Sequence, residues 1–263
     1  MLITSLANPT IKMLRALRQR KARDEQGRYL IEGIRLVAEA IQCNAPLDML
    51  IVAPELLTSA FAHELVANYA ATGGRVLTVS AAVFASLAEK EHPQGIAAVG
   101  RIEYTALESF PMAQVGWIAL VEVADPGNLG TILRTADSAG FSGVILVGAT
   151  TDPFDPAAVR ASMGALFSQR LARADWGHLV AWCRAHGIGL VGSSDRGALD
   201  YRTATYPRPL VLALGSEREG LSADQLANCD CVVRIPMRGR SDSLNLAVAA
   251  GVLMYEVTRH DDF

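Results

Sequence analysis

The stretch Val232-Val233-Arg234-Ile235-Pro236-Met237-Arg238-Gly239-Arg240-Ser241-Asp242-Ser243-Leu244-Asn245-Leu246-Ala247-Val248-Ala249-Ala250-Gly251 decides how the chain is read. An apolar, β-branched run stops at Pro236, a polar loop with Arg238, Gly239 and Arg240 follows, and Ser243 stands where a helix N-cap belongs. The helix beyond is rich in small residues. Ala247, Ala249, Ala250 and Gly251 let neighbouring backbone come close, more than an ordinary strand-to-helix connection requires.

Upstream, the apolar runs Trp117 to Val123, Gly143 to Val147, Ile188 to Val191 and Leu210 to Leu214 recur with helical stretches between them. Runs apolar on both faces and separated by helices imply a parallel sheet covered on both sides, an α/β architecture. The first connection opens Asp125-Pro126-Gly127-Asn128-Leu129-Gly130 and continues as a helix. Leu129, Ile132, Leu133 and Ala136 form its buried stripe and Gly140 its stop. Arg134 points away from that stripe, where a guanidinium is either merely solvated or open to a ligand. Asp155-Pro156 opens another helix with an N-cap and a proline at N1. After the fourth run, Leu214-Gly215-Ser216-Glu217-Arg218-Glu219-Gly220 is a glycine-bounded acidic turn leading to a short helix near Asp224. It is neither a dinucleotide fingerprint nor a P-loop. Its carboxylates would repel an anion and suit a cationic or hydroxyl-bearing ligand.

The N-terminal third carries a concentration of charge: Lys12, Arg15, Arg18, Arg20, Lys21, Arg23, Arg28 and Arg35 outnumber Asp24, Glu25 and Glu32. Ile11, Leu14 and Leu17 would bury the opposite face of the opening helix, so its basic face is either solvated or in contact with phosphates. Beyond it, short apolar runs alternate with helical ones as far as Val99, which makes a small α/β unit. The domains expected are residues 1–102, a linker over 103–114 that includes Pro111, and residues 115–263.

Composition narrows the class. At 263 residues, 51 % apolar and 19 % charged, the chain can bury a substantial core and is not a disordered protein. A net charge of −3 argues against a general basic coat and leaves room for a local patch. Cys43, Cys183, Cys229 and Cys231 form no C-x-x-C pair, and the histidines add no ligand spacing, so reduced thiols in a cytosolic protein and no metal are expected. Neither a signal peptide nor a membrane span is legible.

Taken together, Asn128-Leu129-Gly130 with Arg134, then Gly215-x-Glu217-x-x-Gly220, then Ile235-Pro236-Met237 with Ser243-Leu244-Asn245, resemble the three signature motifs of the SpoU (TrmH) family. These are 2′-O-ribose RNA methyltransferases of the SPOUT superfamily. The resemblance spans roughly Trp117 to Arg259, and the N-terminal third is similar to the ribosomal-protein-like RNA-binding domain that precedes the catalytic domain in rRNA-modifying members. The resemblance implies a deep trefoil knot in the C-terminal domain, a cytoplasmic homodimer with its active site built across the interface, and S-adenosylmethionine as methyl donor. It implies that cofactor contacts fall at Leu214, Gly215, Ile235, Met237 and Leu244. Arg134, Asn128, Glu217, Ser243 and Asn245 are the implied catalytic set. A guanidinium stays protonated, so Arg134 reads better as a stabiliser of developing charge and a phosphate clamp than as a base. The expected substrate is rRNA; a tRNA substrate and a non-catalytic RNA-binding or assembly protein of the same fold are the alternatives.

Overall fold

The computed structural model describes residues 2–112 and 114–259, so Ala113 of the expected linker and His260 to Phe263 of the expected second domain lie outside the described residues. In chain order the elements are β1 (Leu2–Ile3), α1 (Pro9–Ala16), α2 (Arg20–Gln26), β2 (Arg28–Glu32), α3 (Ile34–Gln42), β3 (Leu47–Val52), α4 (Ala60–Ala71), β4 (Val76–Val79), α5 (Ala81–Leu87) and β5 (Ile96–Arg101). There follow β6 (Gly116–Val121), α6 (Pro126–Ser138), β7 (Gly143–Val147), α7 (Pro156–Ser162), β8 (Arg170–Ala174), α8 (Trp176–His186), β9 (Gly189–Ser193), β10 (Leu199–Asp200), β11 (Leu210–Leu214), α9 (Ala223–Ala227), β12 (Cys231–Arg234) and α10 (Leu246–Val257). Contacts divide the chain into two compact units: one runs to Glu103 and takes in Phe154–Phe167, the other comprises Tyr104–Pro153 and the chain from Ser168 onward.

The first unit is a five-stranded sheet in the order β1-β4-β3-β5-β2, with β5 antiparallel to both its neighbours. The expected stripe of Ile11, Leu14 and Leu17 is buried against Val83, Phe84 and Leu87, although the opening helix is two helices, α1 and α2. Arg23 is 1 % exposed. Its guanidinium donates to the carbonyls of Leu17 (3.0 Å) and Arg18 (2.9 Å) and pairs with Asp155 at 3.3 Å. A buried cation needs such partners, because desolvation without them costs several kcal/mol (about 2 to 7 for a neutral polar group alone). Asp155 thereby belongs to this unit, as does Phe154, whose ring meets Tyr29 at 4.7 Å. The sequence reading places 154–167 in the second domain; the chain instead spends this segment completing the first core.

The second unit is a seven-stranded, wholly parallel sheet in the order β10-β12-β9-β11-β6-β7-β8. All five expected runs are strands of it. Two edge strands are additional: β8 carries Arg170 and Arg173 and lacks the apolar signature of an inner strand, and β10 has two residues. The expected linker is not loose. Leu107 and Phe110 are buried, Phe110 stacks on Trp117 at 6.3 Å, and Thr105 N–H donates to the Leu171 carbonyl at 2.7 Å.

Candidate active site

β6 and β11 lie side by side in the middle of the second sheet, yet the chain leaves them in opposite directions, from β6 to β7 and from β11 to β12 beyond β9. At such a switch point the connections diverge and leave a crevice beyond the C-terminal strand ends. The Asn128 and Gly215 to Gly220 segments are those two connections.

Each is held by side-chain bonds. Asp125 caps α6, its Oδ1 accepting from Asn128 N–H at 2.6 Å, with Pro126 in the first turn. Glu217 accepts from the backbone N–H groups of Ala124 and Asp125 and from the Asn128 amide, all at 3.1 Å. Partial burial pushes its carboxyl up, but the Asn128 amide and the backbone donors outweigh that and hold it below the usual carboxylate range. Glu217 is therefore spent on joining two loops rather than on facing a ligand. Asn128 Oδ1 in turn accepts from Asn245 Nδ2 at 3.0 Å, and Asn245 Oδ1 accepts from Ala247 N–H (2.9 Å) and Val248 N–H (3.3 Å). One chain of hydrogen bonds, Asn245 to Asn128 to Glu217, thus ties all three motif segments together.

The N-cap of α10 is Asn245 and not Ser243. The asparagine amide caps the helix with its oxygen and donates to Asn128 with its nitrogen, so the two tasks fall to two separate atoms. Ser243 donates to Asp242 at 3.3 Å in the exposed loop and stays outside the chain of bonds. Gly215 is required by close approach, since a Cβ there would lie 2.0 Å from the Gly220 carbonyl carbon. Gly251 is under no such demand: a Cβ would meet the Thr135 methyl at 3.7 Å, an ordinary contact, while Ala247 and Ala250 are buried.

Among the expected cofactor residues, Leu214 is buried at the end of β11, and Ile235, Met237 and Leu244 lie in the connection from β12 to α10. Among the described residues, the backbone N–H groups of Ile235, Met237 and Leu244 have no hydrogen-bond partner. Met237 and Leu244 are 37 % and 39 % exposed, high for large apolar side chains. Free backbone donors beside uncovered apolar groups fit a nucleoside with a methionine-derived sulfonium tail, so the donor set matches S-adenosylmethionine. Arg134 is exposed on α6, and its guanidinium has no partner among the described residues. It stands six residues beyond Asn128, about 9 Å along the helix and roughly 120° around it. The single chain does not bring it to the Asn128 cluster. Burial pushes the Cys183 and Cys229 thiols up to about 12, which removes them as nucleophiles.

An open parallel sheet with its switch-point crevice framed by three bonded loops has the architecture of a SPOUT methyltransferase. It aligns along 100 % of this chain, with a TM-score of 0.90 and 39 % identity, to the crystal structure of an AdoMet-bound rRNA methyltransferase from Sinorhizobium meliloti, covering 99 % of that chain. The methyltransferase AviRb from Streptomyces viridochromogenes, solved with AdoMet, aligns at a TM-score of 0.86 and 30 % identity over 96 % of this chain and 97 % of its own. The chain belongs to the SpoU rRNA Methylase family, whose profile matches residues 117–255. Residues 8–98 match the MRM3-like substrate binding domain. The chain is 30 % identical, over 97 % of its own length and 98 % of the relative's, to the Bacillus subtilis 23S rRNA (guanosine(2553)-2′-O)-methyltransferase RlmP. It is 32 % identical, over 92 % of its length and 86 % of the relative's, to a 23S rRNA (uridine(2479)-2′-O)-methyltransferase of Streptomyces viridochromogenes.

Proposed function

We propose that this protein methylates a ribose 2′-hydroxyl of ribosomal RNA with S-adenosylmethionine, the first unit gripping the RNA and the second carrying the chemistry. The observation that carries the reading is the Asn245–Asn128–Glu217 chain, which makes one site of three segments widely separated in sequence. The similarity to proteins named as 23S rRNA methyltransferases supports rRNA as the substrate.

Bound S-adenosylmethionine supplies a methyl group on a sulfonium, an electrophile that a hydroxyl can attack in line. The backbone donors of Ile235, Met237 and Leu244, with Leu214 and Gly215, hold the nucleoside. The bonded chain keeps the three loops in register, so that the enzyme's work is chiefly positioning. Arg134 grips a phosphate and stabilises negative charge on the hydroxyl oxygen as its proton passes to solvent water; a guanidinium does not serve as the base. Ser243, beside Leu244, adds a hydroxyl at the mouth of the loop.

Arg134 performs this role across a homodimer. Its guanidinium is free of its own chain's Asn128 cluster. Beside α6, the neighbouring α10 exposes Val248 (53 %) and Tyr255 (52 %), seven residues apart and hence on one face. The trefoil knot is part of the same reading, supported by a chain that leaves β12 beyond β9 and returns with α10 to lie on α6. No helix among the described residues is long and apolar enough to cross a membrane, and we place the protein with its RNA in the cytoplasm.

The test is to incubate the full-length protein with tritiated S-adenosylmethionine and total RNA, ribosomal and transfer, from cells lacking the gene, then map 2′-O-methyls. A methylated ribose in rRNA is expected. Labelling of tRNA alone would overturn the substrate, and failure to bind S-adenosylmethionine by calorimetry would leave a non-catalytic RNA-binding protein.

A further inference from the structure

Because β12, β9, β11 and β6 run parallel, their C-terminal ends lie along one edge of the second sheet. Three of the loops leaving that edge carry arginines. Arg196 stands three residues past β9, Arg218 four past β11, and Arg238 and Arg240 four and six past β12. All are exposed, and none of the four guanidinium groups has a hydrogen-bond or ion-pair partner among the described residues. Acids are at hand in sequence: Asp195, Glu219 and Asp242 each lie within two residues of one of these arginines. Yet Asp195 and Asp242 are held by serine hydroxyls, Glu217 is committed to Ala124, Asp125 and Asn128, and Glu219, whose backbone N–H donates to Ser216, makes no ion pair with Arg218. The cations are thus presented outward with their planar donor forks unspent, the form of arginine that grips phosphate bidentately.

β12, β9 and β11 are consecutive in the sheet, so the strand ends from which these loops leave span roughly 10 Å along the edge that holds the site. We propose that Arg196 and Arg218, with Arg238 and Arg240, form a track for the phosphate backbone of the RNA strand flanking the target ribose. This rests on the methyltransferase reading above. Arg196 lies outside all three motifs, and Arg218 occupies an unspecified position of the second. The track supplies affinity and orientation, since phosphate contacts carry no base information.

The experiment measures binding of an unmodified 23S rRNA transcript by filter retention across a salt series, for the full-length protein and for Arg196→Ala, Arg218→Ala and the double variant. Each lost contact to single-stranded RNA should lower the slope of log K against log salt by about 0.7, and the double variant by about 1.4. KM for RNA should rise roughly threefold to tenfold per arginine while kcat at saturating RNA and the affinity for S-adenosylmethionine stay near the parent values. Arg196→Lys should retain most of the slope. Arg184→Ala is the control: that exposed arginine ends α8, at the opposite sheet edge where β9 begins. An unchanged slope in the double variant, an equal drop in Arg184→Ala, or a parent protein whose RNA binding ignores salt would each overturn the track. Failure of the parent to bind S-adenosylmethionine would instead strike the methyltransferase reading, while the salt slopes still report on the track.

Discussion

The arginines of the opening helices and those of the second sheet's C-terminal edge are alike in sequence and opposite in use. In the first unit Arg15 donates to Ser86, Arg18 to the Ala88 carbonyl, and Arg28 to Asp48; Arg20 and Lys21 pair with Asp24 and Glu25 one turn on. Arg23 is buried outright. Only Lys12 and Arg35 of the eight basic residues in that stretch have no partner among the described residues. Arg134 on α6 and, in the loops of the sheet edge, Arg196, Arg218, Arg238 and Arg240 all project without partners among the described residues. A count of charge along a sequence therefore overstates how basic a surface is. The arginines of α1, α2 and the turn between them are spent on carbonyls, hydroxyls and acids within reach, whereas those of the loops after β9, β11 and β12 are left free.

The contrast breaks most visibly at one free and one spent arginine. Arg134→Ala should reduce methyl transfer by about 10²- to 10³-fold, the usual cost of removing one electrostatic stabiliser, with affinity for S-adenosylmethionine unchanged. Arg134→Lys should recover part of it, since the charge remains and the fork is lost. Single-turnover kinetics decides, and a fully active alanine variant would remove Arg134 from the chemistry. Arg23→Ala should do the reverse. It strands Asp155 and two carbonyls, so a loss of about 2 to 3 kcal/mol is expected, below the figure for a fully buried pair because Asp155 is 35 % exposed. Denaturant unfolding should show a destabilised first unit while calorimetry finds S-adenosylmethionine binding intact.

These two residues also show how far the sequence could be read. Arg134 was legible because it sits at a helical offset from an apolar stripe and within a motif. Arg23 was not, since nothing local distinguishes it from Arg20 or Lys21, and its partner Asp155 lies 132 residues away. The inner strands were legible as apolar runs, but β8 was hidden by its arginines and β10 by its length. In the site, the residues of the three motifs could be named while their connectivity could not. The capping role went to Ser243 by position, and only the bond from Asn245 to Asn128 shows that the cap residue is also the link to the first motif.

Asn245 allows that point to be sharpened. Asn245→Ala loses both the cap and the bridge, and should cost about 1 kcal/mol of stability and roughly tenfold in S-adenosylmethionine affinity. Asn245→Asp keeps the cap acceptor and loses only the donor to Asn128, so it should retain stability and still bind the cofactor weakly. If both variants bind normally, the bonded chain does not position the site.

A smaller effect is expected from Glu217, whose carboxyl is held below its ordinary range by donors that exist only in the folded protein. A depressed carboxyl contributes stability that is full above the unfolded value and is lost as pH falls through the folded one. Cofactor affinity should therefore be flat from pH 7 down through the ordinary carboxylate range and fall only below it. Glu217→Gln should bind a few-fold less tightly at neutral pH and lose the acid dependence. An identical pH profile in both proteins would mean that another group controls the decline.

The smallest expected effect is the sharpest test of the contrast itself. Arg20 and Lys21 lie on the exposed face of α2, each paired with an acid four residues on, at 3.7 and 3.8 Å. Exposed pairs of this kind contribute about 0.3 to 0.5 kcal/mol, so the double substitution to alanine should hardly move the unfolding midpoint. If charge density alone made this face an RNA surface, removing both cations would lower the salt slope of RNA binding by about 1.4, as much as losing Arg196 and Arg218 together. Spent as they are on Asp24 and Glu25, they should lower it by much less. A full drop would show that RNA displaces those carboxylates, and that an arginine's partner in the free protein does not decide whether it can bind phosphate.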